Sequence, residues 1–333
     1  LDDMWTRILD DFHTAATMLS YYKAPQTGRA DLAAAQSMLA KSYLYLASAK
    51  ANGVPEYKDM TFDVEEYYKK AADWAAKVVL NPEQTTYSFS DNLESIYDVE
   101  NPTGPEHIFI MSMDRTGASE GQYSKISKMY IPYVAGGTIY LKNEDGSLSA
   151  THDGWGEYRT TKEFYDSFES GDKRHDELIV SEVYNKEGEV IADYKADGSG
   201  KLAYPFCRKF IDPSFVGDKT STRPYLIRFS DIALTYAEAA GPTTESYALV
   251  NRIRTRAGLG ALTPGLSTEL FRQAILKERL YELAFEGNIS YDLRRWNTLH
   301  TKVNAAVSQG LTAEDMVFYP IPSIETDLNP NIK

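Results

Sequence analysis

The sequence predicts a mainly α-helical protein of tetratricopeptide-like helical repeats, interrupted by an irregular insert of loops and short strands. Three observations carry this expectation. Apolar residues recur at helical spacing over the first 80 residues and again from Arg223 onward. Alanines occupy packed positions and a proline stops the third helix, a pattern similar to the second half of a tetratricopeptide repeat. Between residues 83 and 222, glycine, proline, aspartate and aromatics replace the long periodic runs. The repeat is degenerate, so periodicity alone does not decide it.

Each element has its own signal. Trp5, Ile8, Leu9, Phe12, Ala16 and Leu19 form one helical stripe, and an alanine-rich helical stretch runs from Gly28 to Ala51. Asp63 with Glu66 gives a capping-box-like start to a third helix, which passes through Tyr67, Ala71, Trp74, Ala75 and Val78. Asn81-Pro82 stops it. In the middle of the chain His107–Met113 and Glu177–Tyr184 read as strands, and Asn185–Gly188 and Asp197-Gly198 as hairpin turns. A stretch this long without long helices is either functional or disordered, and its many aromatics argue against disorder. From Arg223 the helices return: Gly241-Pro242 ends one, Gly258 caps the next and Gly287 ends a charged one. The expected organisation is a helical portion at 1–82, a loop-rich insert at 83–222 that offers the candidate ligand surface, and a helical portion at 223–333, all in one intimate unit.

The charged helix, between Ser267 and Trp296, sets a problem in electrostatics. Phe271, Ala274, Tyr281 and Phe285 mark a core-facing stripe on which Glu278 also falls, with Glu282 and Glu286 following at four-residue steps. Carboxylates stacked in this way repel unless cations lie between them, and a partly buried charge without a partner is strongly destabilising. Arg294 and Arg295, with Arg279, are the expected partners. Arg252, Arg254 and Arg256 spread over different helix faces and are expected to join the glutamates. Asp231 and Glu238, near Arg228, read as structural pairs as well.

Composition and motifs exclude several functions. A net charge of −13 over 333 residues argues against a nucleic-acid partner, and no run of 18 apolar residues is present to span a bilayer. Cys207 is the only cysteine, so no internal disulfide forms; between Phe206 and Arg208 it reads as a packed thiol. The five histidines lie far apart, and neither HExxH nor GxxxxGK[ST] occurs. The Gly258–Ala261 stretch lacks the third glycine of a dinucleotide fingerprint. Asn143–Gly146 has a calcium-loop flavour, but an EF-hand register would place Leu141 and His152 at ligand positions, so a hairpin turn is expected. No cofactor and no metal are expected. A glycosidase needs only two carboxylates; Glu278, Glu282 and Glu286 are the obvious cluster, yet their mid-helix setting suits ion pairing better than a cleft.

The aromatics of the insert are the better functional candidates. Tyr123, Tyr130, Tyr133, Trp155 and Tyr158 fall among glycines and polar residues, where rings are less often sequestered in a core. Sugar C–H faces lie on such rings while sugar hydroxyls bond to polar neighbours. Two or three stacking contacts at about 1 kcal/mol each, with a few net hydrogen bonds of similar size, reach about −4 kcal/mol, a roughly millimolar affinity.

ERLYELAFEG (Glu278–Gly287) followed by YDLRRW (Tyr291–Trp296) resembles the C-terminal signature of the SusD/RagB family of outer-membrane nutrient-binding lipoproteins. Five further blocks occur in the family's order: GRADLAAAQSMLAKSYLYLA from Gly28, DGWGEYRTTKEFYDSFESGDKR from Asp153, RPYLIRFSDIALTYAEAA from Arg223, ALVNRIRTRAGL from Ala248 and FYPIPSIETDLNPN from Phe318. Asn288 and Ile289 stand where the family usually has His-Arg, which puts a local charge contact in doubt. The chain also starts close to the family's early helix, so the usual N-terminal portion is absent. The resemblance implies a SusD-like repeat fold and a non-enzymatic glycan or nutrient receptor. It further implies a TonB-dependent, SusC-like transporter as partner and a lipid anchor, preceding this chain, at the extracellular face of the outer membrane. Family ligand residues vary between members, so none is carried over. A surface glycoside hydrolase and a protein-binding helical scaffold are the alternatives.

Overall fold

The computed structural model describes residues 1–24, 28–134, 136–316 and 322–329. The chain opens with helices α1 (Asp2–Met18), α2 (Leu32–Ala51) and α3 (Val64–Val79). Asp31 caps α2 by accepting from the Ala34 N–H at 3.1 Å, and Asp63 caps α3 by accepting from the Glu66 N–H at 2.7 Å; each cap contributes about 1 kcal/mol. Helix α2 is alanine-rich because it is buried on nearly every side, with Ala33, Ala40, Ala47 and Ala49 fully enclosed. Small side chains let neighbouring helices approach closely. By contrast α1 buries only Leu9 completely, and Trp5, Phe12 and Ala16 rest half-covered against Leu39, Tyr43 and Leu46.

Short elements follow: α4 (Leu93–Tyr97), β1 (His107–Ile110), α5 (Ile126–Tyr130), β2 (Thr138–Lys142), β3 (Leu148–His152), α6 (Lys162–Tyr165), α7 (Lys173–Leu178), β4 (Ile179–Val180), β5 (Glu182–Tyr184), β6 (Val190–Asp193), β7 (Phe206–Cys207) and β8 (Tyr225–Arg228). The expected run Glu177–Tyr184 divides into the end of α7 and two strands, and β1 stops at Ile110 rather than Met113. Strands β3-β2-β5-β6 form an antiparallel sheet over a core of Ile131, Ile139, Leu141, Val183 and Phe206. Its hairpin turns are Asn143–Gly146 and Asn185–Gly188, as expected from their turn residues. The antiparallel pair β1–β8 ties the start of this loop-rich stretch to its end.

The chain closes with α8 (Phe229–Ala240), α9 (Thr244–Arg256), α10 (Thr268–Glu282), α11 (Ile289–Arg295), α12 (Leu299–Lys302), α13 (Asn304–Ser308) and α14 (Ser323–Leu328). Of the Phe318–Asn331 block, 318–321, 330 and 331 lie outside the described residues. Gly241, at φ 75°, ends α8, where the left-handed backbone excludes most side chains. Helix α8 packs against α2, α3, α9 and α10 and is the hub joining the two helical ends of the chain. The fold is mainly helical and of the tetratricopeptide-like kind.

Glu278 and Glu282 sit on α10, but Glu286 does not: the helix ends at Glu282, one turn before Gly287. Phe285 adopts φ 68°, and the turn carries the Glu286 carboxylate to Lys209 Nζ at 2.7 Å and Arg228 Nε at 2.8 Å. Arg254 and Arg256 join the glutamates as expected, whereas Arg174, Lys209 and Arg228 take the places expected for Arg279, Arg294 and Arg295. Glu278 takes Arg174 at 2.6 Å and Arg254 at 3.0 Å, and Glu282 takes Arg256 at 2.7 Å. Arg228 further holds Glu106 at 2.6 Å, and Arg174 holds Asp172 at 2.7 Å. Five carboxylates (Glu106, Asp172, Glu278, Glu282, Glu286) thus face five cations (Arg174, Lys209, Arg228, Arg254, Arg256).

Arg279 and Arg295 serve a second network. With Lys41 they hold Asp231, Glu238 and Asp292. Arg294 instead donates to the Met316 carbonyl at 2.5 Å, and Arg252 pairs with Asp91 at the surface. Sequence spacing points to neighbours along one helix, whereas the first network draws Glu106, Asp172, Arg174 and Lys209 from the loop-rich stretch. The network therefore clamps that stretch onto α9 and α10.

The electrostatics give a testable pH dependence. Burial opposes charge on Glu282, but Arg256, Arg228, Arg174 and Lys209 outweigh it and hold the carboxyl at about 2. Burial of Asp231 is likewise outweighed by Lys41 and Arg279, again giving about 2. A carboxyl depressed in the folded state stabilises the fold above its ordinary pKa, and that contribution is lost as pH falls through the folded value. Stability is expected to be fully present above about pH 4.5 and to fall between there and about pH 2, by on the order of 3 kcal/mol for Glu282 alone. Melting temperatures across this range measure it. A loss completed above pH 5 would contradict the assignment.

Candidate aromatic loop surface

Two loop segments are laced together by backbone hydrogen bonds. The Trp155 N–H donates to the Lys128 carbonyl at 2.7 Å, Gly156 to Ile131 at 3.0 Å and Tyr158 to Met129 at 2.8 Å. The Asp153 carboxylate accepts from the N–H groups of Val134 (2.7 Å) and Gly136. The approach is so close that a Cβ on Gly154 would meet the Ile131 carbonyl oxygen at 1.8 Å, so only glycine fits. A lattice of this kind holds its side chains in place without a helix.

Four of the five candidate aromatics stand on these two segments. Tyr133, Trp155 and Tyr158 are exposed, at 76, 46 and 51 %. Tyr130 lies behind Tyr158, with ring centroids 5.2 Å apart, and packs on Phe210 and Phe285. Its hydroxyl donates to the Phe285 carbonyl at 2.9 Å. Burial raises the Tyr130 phenol well above its ordinary value, so it stays a neutral donor. Among the described residues Tyr130–Tyr158 is the one ring contact within the five; Tyr123, Tyr133 and Trp155 make none with the others. Tyr123 has a different setting: its hydroxyl donates to Glu120 at 3.0 Å, and the Lys125 and Lys219 ammoniums lie 5.5 and 4.6 Å from its ring centre. Lys128, paired with Asp218, covers Trp155 at 5.4 Å. Cation–π contacts of this size contribute roughly 0.5–1 kcal/mol at exposed sites.

Other candidate chemistry is spoken for. The side chains of Glu278, Glu282 and Glu286 are all buried and ion-paired. Cys207 is buried, and burial pushes its thiol up to about 12, far from a reactive thiolate. Among the described residues no three of His, Cys, Asp and Glu are grouped to hold a metal ion, and no helix is long and apolar enough to cross a membrane. A cleft of about 630 Å³ lies between α4 and the β2–β3 turn, away from the five aromatics. Its residues carry no local sequence pattern; they meet only through the tertiary fold.

The SusD family model matches residues 105–333, more than two thirds of the sequence. The chain belongs to the SusD family. It is 25 % identical over 249 residues to SusD-like protein P2 of Formosa agariphila, a match covering 68 % of this chain and 47 % of the relative. This SusD-family chain thus spans about half the length of that curated relative. In fold it is similar to a SusD superfamily protein from Parabacteroides distasonis, with TM-score 0.73 and 23 % identity over 97 % of this chain and 66 % of that one. It is also similar to a laminarin-binding SusD-like protein, with TM-score 0.68, 23 % identity and the same two coverages. In this SusD-family chain Asn288, standing where the family usually has His, accepts a hydrogen bond from Lys41 at 3.2 Å. A neutral amide contact thus occupies that place, next to the Lys41–Asp231 ion pair.

Proposed function

We propose that this chain is the cargo-contacting part of a cell-surface glycan-binding protein. It passes oligosaccharide to a TonB-dependent, SusC-like transporter and is held at the extracellular face of the outer membrane by a lipid anchor. The observation that carries this reading is the set of three exposed rings, Tyr133, Trp155 and Tyr158, on loops fixed by backbone hydrogen bonds. Tyr130 supports Tyr158 from behind, and Tyr123, between two lysines, is a further candidate ring. Preorganised aromatic faces lose little freedom on meeting a sugar ring. Binding is by stacking and hydrogen bonding, with no bond broken. A hydrolase would need two carboxylates across an open cleft, and the glutamates of α10 are occupied with arginines instead.

Calorimetric titration with laminarin oligosaccharides tests the proposal. Dissociation constants near 1 mM are expected, weakened about fivefold by Trp155→Ala and by Tyr158→Ala, with melting temperatures unchanged and no reducing ends released. Binding that both substitutions leave intact would move the site elsewhere. Failure to bind any glycan would end the reading.

A further inference from the structure

The 630 Å³ cleft has the dimensions of a ligand site, which usually measures about 300–1,000 Å³. Its apolar lining comes from Tyr97, Leu178, Ile211 and Pro213. Its acidic lining comes from Glu94 and Asp98 around α4 and, across the cleft, from Glu144 and Asp145 in the β2–β3 turn. Arg208 bridges the two elements. Its Nη1 donates to the Lys142 carbonyl at 2.7 Å, its Nη2 to Asn143 Oδ1 at 2.5 Å, and its Nε lies 3.4 Å from Glu94.

That arrangement fixes the charge of the cleft. Glu94 balances Arg208, whose donors are engaged with the hairpin. Asp98, Glu144 and Asp145 have no ion-pair partner among the described residues; Asp98 and Asp145 accept only local turn hydrogen bonds. Glu177 feels the same field. Its carboxyl is raised above the ordinary range, first by burial and then by Glu144 and Glu94, against the lowering effect of Lys173. Unmatched negative charge and acceptors beside apolar side chains suit a ring with one C–H face, hydroxyl donors and a positive group. Uronate or sulfate groups would be repelled.

We propose that this cleft is a second ligand site, separate from the aromatic loop, that takes the amine-bearing end of a saccharide. The sugar ring lies against Ile211 and Pro213, and its ammonium faces Asp98, Glu144 and Asp145.

The test is calorimetry with a fully deacetylated glucosamine trisaccharide against its N-acetylated counterpart. The amine form is expected to bind at least tenfold more tightly at low salt, with the advantage shrinking at 0.5 M salt, where charges are screened within about 3–5 Å. The double substitution Asp98→Asn, Glu144→Gln should weaken amine binding about fivefold without lowering the melting temperature, since both residues are exposed. Equal binding of the two trisaccharides, or indifference to the double substitution, would overturn the proposal. Trilysine binding as tightly as the amino sugar would overturn its assignment to a saccharide. Laminarin, titrated in parallel, reports the aromatic loop, so the two readings fail separately.

Discussion

Arg228→Met is expected to lower the free energy of unfolding by about 3–5 kcal/mol. Arg228 is fully buried and donates to Glu106 at 2.6 Å, to Glu286 at 2.8 and 3.0 Å, and to the Glu282 carbonyl at 3.1 Å. Methionine has the volume to fill the space but leaves five carboxylates facing four cations. The surplus charge must stay desolvated, draw in water or take up a proton, and each of these costs stability. Arg228→Lys should recover little, because an ammonium cannot reproduce the planar fork that reaches both Glu106 and Glu286. Urea unfolding measures the effect, with Lys69→Ala as the control. Its exposed i,i+4 pair with Asp73 contributes at most about 0.5 kcal/mol. A loss below 1 kcal/mol for Arg228→Met would mean that the network is held by packing alone.

The same network marks the limit of what the sequence discloses. Periodicity located the long helices, and the caps at Asp63 and Gly241 follow from short-range chemistry visible within four residues. That carboxylates on α10 need cations is equally local. Which cations they take is not, because Glu106 and Arg256 meet across 150 positions of chain. Arg279 and Arg295 look like partners for the three glutamates by proximity in sequence, yet both join the second network. Exposure of aromatics was legible in part, since glycine and polar neighbours accompany Tyr133, Trp155 and Tyr158. The same signal did not separate them from Tyr130, whose enclosure depends on Phe210 and Phe285 arriving from distant segments. The cleft beside α4 was not legible at all, because one of its walls is a hairpin turn and the other a helix nearly fifty residues earlier.

Gly154→Ala is expected to abolish measurable laminarin binding, more than a tenfold loss, although no side chain of the aromatic surface is altered. The added methyl would lie 1.8 Å from the Ile131 carbonyl oxygen and 2.4 Å from its carbon. Both are backbone atoms, so no rotamer change relieves the clash and the two segments must separate. Separation breaks the Gly156-to-Ile131 and Trp155-to-Lys128 hydrogen bonds, at a cost of at least the 1–3 kcal/mol typical of overpacking. Trp155 and Tyr158 then lose their fixed positions, and ordering them again on binding costs about 0.5–1.5 kcal/mol for each side chain. The joint loss exceeds that from truncating either ring. Gly146→Ala is the control: its φ of 83° strains any side chain, but a Cβ there meets open space and lies in the β2–β3 turn. Hydrogen exchange at residues 128–134 and 154–158 should accelerate in Gly154→Ala and stay unchanged in Gly146→Ala. Native affinity in Gly154→Ala, with exchange accelerated, would show that the rings bind without their rigid mounting. The claim that loop order creates the glycan surface would then fall.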